Sequence, residues 1–358
     1  MKKLLILFLF SNLLFSEVSK KIIYYGWGTR DTMYIRENWE KMEEMPLDGI
    51  GINICIDRKK GPVDTGNILG WHLFSKREFK YDNFKEAVED LKIPKWKKFK
   101  DNFLPACICS TAQDQNFNWF DEERWRIIKN NWKTYIRIAK EGNLKGIIID
   151  PEHYGAYFFH YPTMRERVNR PFEEYKMKVY ERGKELMKIT KEIYPDITIL
   201  FFWTHSYLVL HPSEKLKEPE INSYGLLPYF VDGFIDESDE RMRIFDICEF
   251  AYGFKEKIQF LESYHSIINK ASKFSINPEK YRKKIKVGFG LWIDNGNKWN
   301  NEDFSKNYFK PEEFQKSLEY ALEISDEYVW IYSQQVKFFP PNLPEEYLKA
   351  IKKVKKEE

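Results

Sequence analysis

The run Lys145-Gly146-Ile147-Ile148-Ile149-Asp150-Pro151-Glu152-His153-Tyr154 carries the clearest structural signal in the chain. Three consecutive β-branched residues behind a glycine mark a short strand buried on both faces. The strand stops where acidic residues begin, and Pro151 has no N–H with which to extend a ladder. Side chains alternate along an extended chain, so Asp150 and Glu152 point the same way. Two carboxylates aimed at one place from the end of a buried strand are expensive to desolvate, which points to a chemical use.

The same strand-then-helix unit recurs on both sides of this run. Upstream, strands are predicted over 21–28, 48–56 and 103–109, and helices begin behind Asp31, Asp82 and Asp121. The helix behind Asp121 carries the apolar stripe Trp125, Ile128, Trp132, Tyr135 and Ala139 and ends at Gly142 or Asn143. A long connection over 57–81 holds Trp71 and His72, and loops of that length are often functional. Downstream comes an aromatic-rich loop over 154–170, then a helix from Pro171 stopped by Pro195. Further strands are predicted over 197–203, 243–251, 286–293 and 328–332. The stretch 226–244 fits either a strand or a helix, and its apolar spacing favours the helix. Helices from Pro311 and near Pro344 complete the pattern. Eight such units without a break in composition predict a single (β/α)8 barrel over 20–358. The rival, a doubly wound sheet, expects a glycine-rich nucleotide turn after the first strand, and Gly26-Trp27-Gly28 lacks the third glycine.

Ahead of the barrel lies a processing signal. Met1-Lys2-Lys3 is a basic start, residues 4–15 form a short apolar run interrupted by Ser11-Asn12, and Ser16 suits cleavage. A signal peptide over 1–19 is expected, and with it a secreted or periplasmic protein. The apolar run is short for a membrane span, so no stable membrane insertion is expected after cleavage, with an uncleaved anchor as the alternative. No cysteine stands nearby to carry a lipid. The cysteines are Cys55, Cys107, Cys109 and Cys248, all in apolar runs without metal-site spacing. Buried free thiols are expected, with a disulfide as the alternative in an exported chain.

Charge narrows the partners. With 58 basic against 55 acidic residues the net charge is +3, which argues against nucleic acid. Aromatic residues reach 17%, including 11 Trp and 22 Tyr, more than a barrel core requires. Flat apolar faces with polar edges suit amphipathic ligands such as sugar rings.

In a barrel the chemistry sits at the C-terminal ends of the strands. Those ends supply Trp27 and Arg30, Asn53 and Asp57, Ser110, Asp150 and Glu152, Trp203 and His205, Glu249 and Tyr252, Trp292 and Asp294, and Trp330, Tyr332 and Gln334. Acids on strands four and six suit glycoside hydrolysis, which needs one protonated carboxyl for the leaving oxygen and one ionised carboxylate to attack or activate water. Crowded acids raise one another's pKa, which permits that division of labour. The expectation is a glycoside hydrolase with Asp150, Glu152 and Glu249 catalytic. Trp27, Arg30, Trp203, His205, Tyr252, Trp292, Asp294, Trp330 and Tyr332 would bind a carbohydrate substrate, with no cofactor and no metal. Two rivals use the same residues: a metal-dependent sugar isomerase or lyase built on Asp150, Glu152, His205 and Glu249, and a glycan-binding barrel without catalysis.

Asp150-Pro151-Glu152, Glu249-Phe250-Ala251-Tyr252-Gly253 and Tyr328-Val329-Trp330-Ile331-Tyr332 together resemble exported bacterial TIM-barrel proteins of the glycoside hydrolase type, over essentially the whole mature chain. The resemblance is to this broad group rather than to one family. Acids on strands four and six are similar to the α-galactosidase-type clan, which implies a nucleophile on strand four and an acid/base on strand six. That clan uses Asp in both places, and strand six here offers Glu249. The chitinase-type pattern, a run of alternating Asp ending in Glu, is met in part by Asp150-Pro151-Glu152.

Overall fold

The computed structural model describes residues 19–62, 64–109, 117–214, 217–339 and 342–356. Residues 1–18 of the expected signal peptide and the strand-end residue Ser110 lie outside these. The strands are β1 (Lys21–Tyr24), β2 (Gly49–Ile50), β3 (Phe103–Cys107), β4 (Gly146–Asp150), β5 (Thr198–Phe201), β6 (Arg243–Asp246), β7 (Ile285–Val287), β8 (Phe289–Trp292) and β9 (Tyr328–Tyr332). Every ladder between them is parallel. Two orders result, β2-β1-β9-β8 and β3-β4-β5-β6-β7. They join at both ends. Gly51 bridges to Phe103, and the Ile52 N–H donates to the Phe103 carbonyl at 2.9 Å. At the other junction β7 and β8 are halves of one strand hinged at Gly288. A Cβ there would sit 2.5 Å from the Tyr328 carbonyl oxygen, so only glycine lets the strand pass from β6 to β9. The nine segments therefore close into an eight-stranded barrel, and the open-sheet alternative is excluded.

The helices are α1 (Thr32–Met42), α2 (Lys85–Lys92), α3 (Glu122–Glu141), α4 (Phe172–Ile193), α5 (Tyr207–Leu210), α6 (Leu227–Glu237), α7 (Lys257–His265), α8 (Pro278–Lys284), α9 (Pro311–Ile324) and α10 (Glu345–Lys355). The caps read from sequence operate as expected at two of them. Asp31 accepts from the Tyr34 N–H, and Asp121 accepts from the Arg124 N–H, each at 3.0 Å. The ambiguous stretch is α6. It lies so close to α4 that a Cβ on Gly183 would stand 2.1 Å from the Phe230 carbonyl oxygen. Among the described residues no helix is long and apolar enough to cross a membrane.

Several predicted boundaries need correction, for one shared reason. Residues beyond a strand's last ladder bond stay buried, so the apolar run outlasts the strand. The second strand was expected to reach residue 56, yet only Gly49 and Ile50 form a ladder with β1. Beyond them the long loop folds back, Cys55 bridging to Ile68 in antiparallel sense. The sixth strand ends at Asp246, not at 251. Ile247 and Cys248 are core, Cys248 has φ of 30°, and Glu249 opens a turn of 3-10 helix to Ala251. Asp82 caps nothing. A 3-10 turn over Tyr81–Phe84 precedes α2 instead.

Candidate active site

One cavity of about 300 Å³ opens at the C-terminal ends of the strands. β4 delivers Asp150 and Glu152 to it from the same side of the chain, as alternation requires. The turn after β6 delivers Glu249 and Tyr252. Tyr25 and Trp27 come from the end of β1, Phe202 from β5, Trp292 from β8, and Tyr332 and Gln334 from β9. The long loop before α2 adds Asp64 and Trp71, and the loop after β4 adds Tyr154.

The acids are held in distinct ways. Asp150 is buried, and both its oxygens are engaged: Oδ1 accepts the Glu152 N–H at 2.8 Å and Oδ2 accepts the Tyr154 hydroxyl at 2.9 Å. Tyr154 also bonds to Glu152, and Tyr252 bonds to Glu249. The second oxygen of Glu249, Oε2, is buried with no hydrogen-bond partner. A carboxyl with one oxygen dry and unpaired favours its neutral form.

Electrostatics separate the three further. Burial is the first cause of a raised pKa at each. For Glu249 the charge of Glu152 comes next and that of Asp150 after it, and the group lies well above the carboxylate range. Asp150 lies well above it too, pushed by burial and then by Glu152, against the two hydrogen bonds that favour its anion. Glu152 is raised too, by burial, while the hydrogen bond from Tyr154 favours its anion. Its charge then helps Asp150 and Glu249 keep their protons.

A belt of aromatic rings surrounds these acids. Tyr252 packs on Trp292 with ring centres 5.7 Å apart, and Trp292 on Tyr332 at 5.5 Å. The Trp27 ring N–H donates to the Tyr332 hydroxyl. Trp27 stacks on Trp71 at 6.1 Å, and Trp71 meets Tyr154 at 4.5 Å. The belt thus starts on the tyrosine bonded to Glu249 and ends on the tyrosine bonded to Asp150.

Other residues expected at the mouth lie elsewhere. Trp330 is fully buried below it, stacked on Phe202 at 4.7 Å with its N–H donating to the Ile247 carbonyl. Asp294 is fully buried and accepts from the Trp292 ring N–H at 2.6 Å and from the backbone N–H groups of Gln334, Gln335 and Val336. It therefore holds the mouth rather than lining it. Trp203 packs into Tyr224 and Phe250. Arg30 lies over the Tyr34 ring and donates to the Phe339 carbonyl. His205 is buried against Asp232 at 3.1 Å and Tyr281. The four-residue metal set that included His205 is therefore not assembled. Among the described residues no other cluster of three His, Cys, Asp or Glu side chains is arranged to hold an ion. Tyr25, Asp64, Trp71, Tyr154 and Phe202 line the cavity without having been expected there. The length of the 57–81 loop hinted at Asp64 and Trp71, and the aromatic content of the 154–170 loop at Tyr154. Beside Asp150, the thiols of Cys107 and Cys109 lie 2.9 Å apart, and all four cysteines are free and buried.

No protein-family model matches the chain, and no curated protein matches it in sequence. Solved structures share its layout at low identity. A GH18 chitinase from Flavobacterium johnsoniae is 14% identical over 94% of this chain and 95% of its own, with a TM-score of 0.41. A GH5 family lichenase from Caldicellulosiruptor sp. F32 is 9% identical over 89% and 84%, with a TM-score of 0.47. The 3-keto-D-glucoside 4-epimerase of E. coli is 13% identical over 94% and 100%, with a TM-score of 0.44. Likeness this distant decides nothing about chemistry, which rests on the side chains.

Proposed function

We propose that the chain is a glycoside hydrolase acting on a poly- or oligosaccharide, with Glu249 as the general acid/base and Glu152 as the partner carboxylate. The carrying observation is the convergence of three mutually repelling carboxyls on one aromatic-lined cavity. Glycosidic cleavage needs a proton on the leaving oxygen and negative charge facing the anomeric carbon. Glu249, dry at Oε2 and crowded by Glu152, is suited to keep the proton. Glu152 is suited to carry the charge, because both oxygens of its neighbour Asp150 are already engaged, and it attacks the anomeric carbon directly or through a water. As the C–O bond breaks, the Glu249 proton goes to the departing sugar. On direct attack, water then opens the glycosyl ester on Glu152 and gives a proton back to Glu249; on the water route, the attacking water leaves its proton on Glu152, and solvent restores both groups. Asp150, with both oxygens already engaged, orients Glu152 through its backbone N–H and keeps the site acidic. Export through the signal over 1–19 would deliver such an enzyme to extracellular or periplasmic glycans.

The test is a pair of isosteric variants. Glu249→Gln and Glu152→Gln should each lower kcat by at least about 100-fold on a polysaccharide the wild type cleaves, with unchanged circular dichroism. Full activity in both variants would rule the assignment out.

A further inference from the structure

Resting on the hydrolase reading of this cavity, we infer that its substrate is an uncharged glycan, stacked by its ring faces on Trp27, Trp71 and Tyr154, and that acidic polysaccharides are refused. Charge is the first ground. Asp64 joins the three acids, so four carboxyl side chains line the cavity, and among the described lining residues there is no Lys, Arg or His. Arg30, the first arginine after β1, is not among the lining residues; its guanidinium donates to the Phe339 carbonyl and lies over the Tyr34 ring. A uronate or sulfate group entering here would lose its water, find no cation, and face charge of its own sign. A neutral sugar meets the opposite situation, because its hydroxyls donate hydrogen bonds and carboxylate oxygens accept them.

The rings are the second ground, and an independent one. Trp27 is 55% exposed and Tyr154 38% exposed, unusual for large apolar groups set so close to buried acids. Trp71 lies between them and touches both. Three rings in contact, leading from the outer surface to the carboxyl of Asp150, form a continuous apolar wall. Pyranose units with their polar groups at the ring edge present C–H faces to such a wall. Outside the cavity basic residues outnumber acidic ones, so a refusal of acidic polymers belongs to the cavity itself.

The experiment is affinity electrophoresis of the full-length Glu249→Gln chain at low salt, where charge repulsion is least screened. Neutral gels contain hydroxyethyl cellulose, mixed-linkage β-glucan, galactomannan, arabinoxylan, galactan or glycol chitin. Acidic gels contain polygalacturonate, alginate, hyaluronate or chondroitin sulfate. Retardation by at least one neutral polymer and by none of the acidic ones is expected. Adding Trp71→Ala or Trp27→Ala should weaken that retardation about tenfold or more. Trp27 is mostly exposed, so its loss leaves the core intact. Equal or tighter binding to an acidic polymer, binding to no neutral polymer, or unchanged affinity in both tryptophan variants would overturn the inference. The hydrolase reading fails separately: wild-type chain that binds a neutral polymer and releases no reducing ends defeats hydrolysis and leaves substrate selection standing.

Discussion

At Glu249 the proposed acid/base role and folding make opposite demands. Its pKa is raised in the folded chain by burial first and by Glu152 next, so ionising it opposes folding. The sign follows directly. Below the unfolded pKa, about 4.3 for Glu, the group is protonated in both states and costs nothing. As pH climbs from there toward the folded pKa, the unfolded chain ionises first and stability falls. Glu249→Gln should therefore raise Tm at pH 7, by about 2 °C or more, and the gain should vanish near pH 4. Scanning calorimetry at both pH values checks this, and an equal gain at both would contradict it. Tyr252 acts on the same group in the other direction, since its hydrogen bond favours the Glu249 anion. In Tyr252→Phe the acid holds its proton to higher pH, so the alkaline limb of the kcat/KM profile moves upward. A downward shift would reverse the assigned roles.

The loops depend on buried anchors at the ends of their strands. Asp294, after β8, gathers the Trp292 ring and three backbone N–H groups after β9, so one carboxylate fixes two walls of the mouth. Asp246 does the same at the end of β6. It accepts from Thr204, Ser206 and the Cys248 N–H, and so sets the turn from which Glu249 projects. Asp294→Ala leaves buried N–H groups unpaired and should cost about 3 kcal/mol of stability, read by urea unfolding. At a temperature where the variant is folded, KM should rise several-fold while kcat stays within about twofold. That outcome marks a positioning residue. A collapse of kcat at unchanged KM would mean that Asp294 touches the reaction. The same anchors explain what periodicity conveyed and what it did not. Asp150 and Glu152 were legible because alternation and a proline fix both direction and end point. Trp330 and Tyr332 alternate in the same sense, yet Trp330 lies a layer deeper, because periodicity assigns a face and not a height. Trp71 and Asp64 reach the cavity only because their loop folds back on Cys55, a tertiary event with no local signature.

At the scale of the whole molecule, the closed parallel barrel was readable from eight apolar runs alternating with helical stretches, among them those opened by Asp31, Asp121, Pro171 and Pro311. The exact strand ends were not, since core residues such as Ile247 and Cys248 prolong the apolar pattern past the ladder. The barrel carries its cysteines as core. Thiol titration should find 4 groups in denaturant and essentially none in the native chain, because all four are free and buried; fewer than that in denaturant would mean a disulfide. The belt of rings and the three coupled acids occupy one mouth, and hydrolysis of a glycan there is the central claim. The most direct measurement is incubation of the purified chain with a broad polysaccharide panel, scored for new reducing ends beside the Glu249→Gln variant. New reducing ends from at least one polysaccharide, absent with the variant, are predicted. No release from any member, or equal release by the variant, would contradict the account.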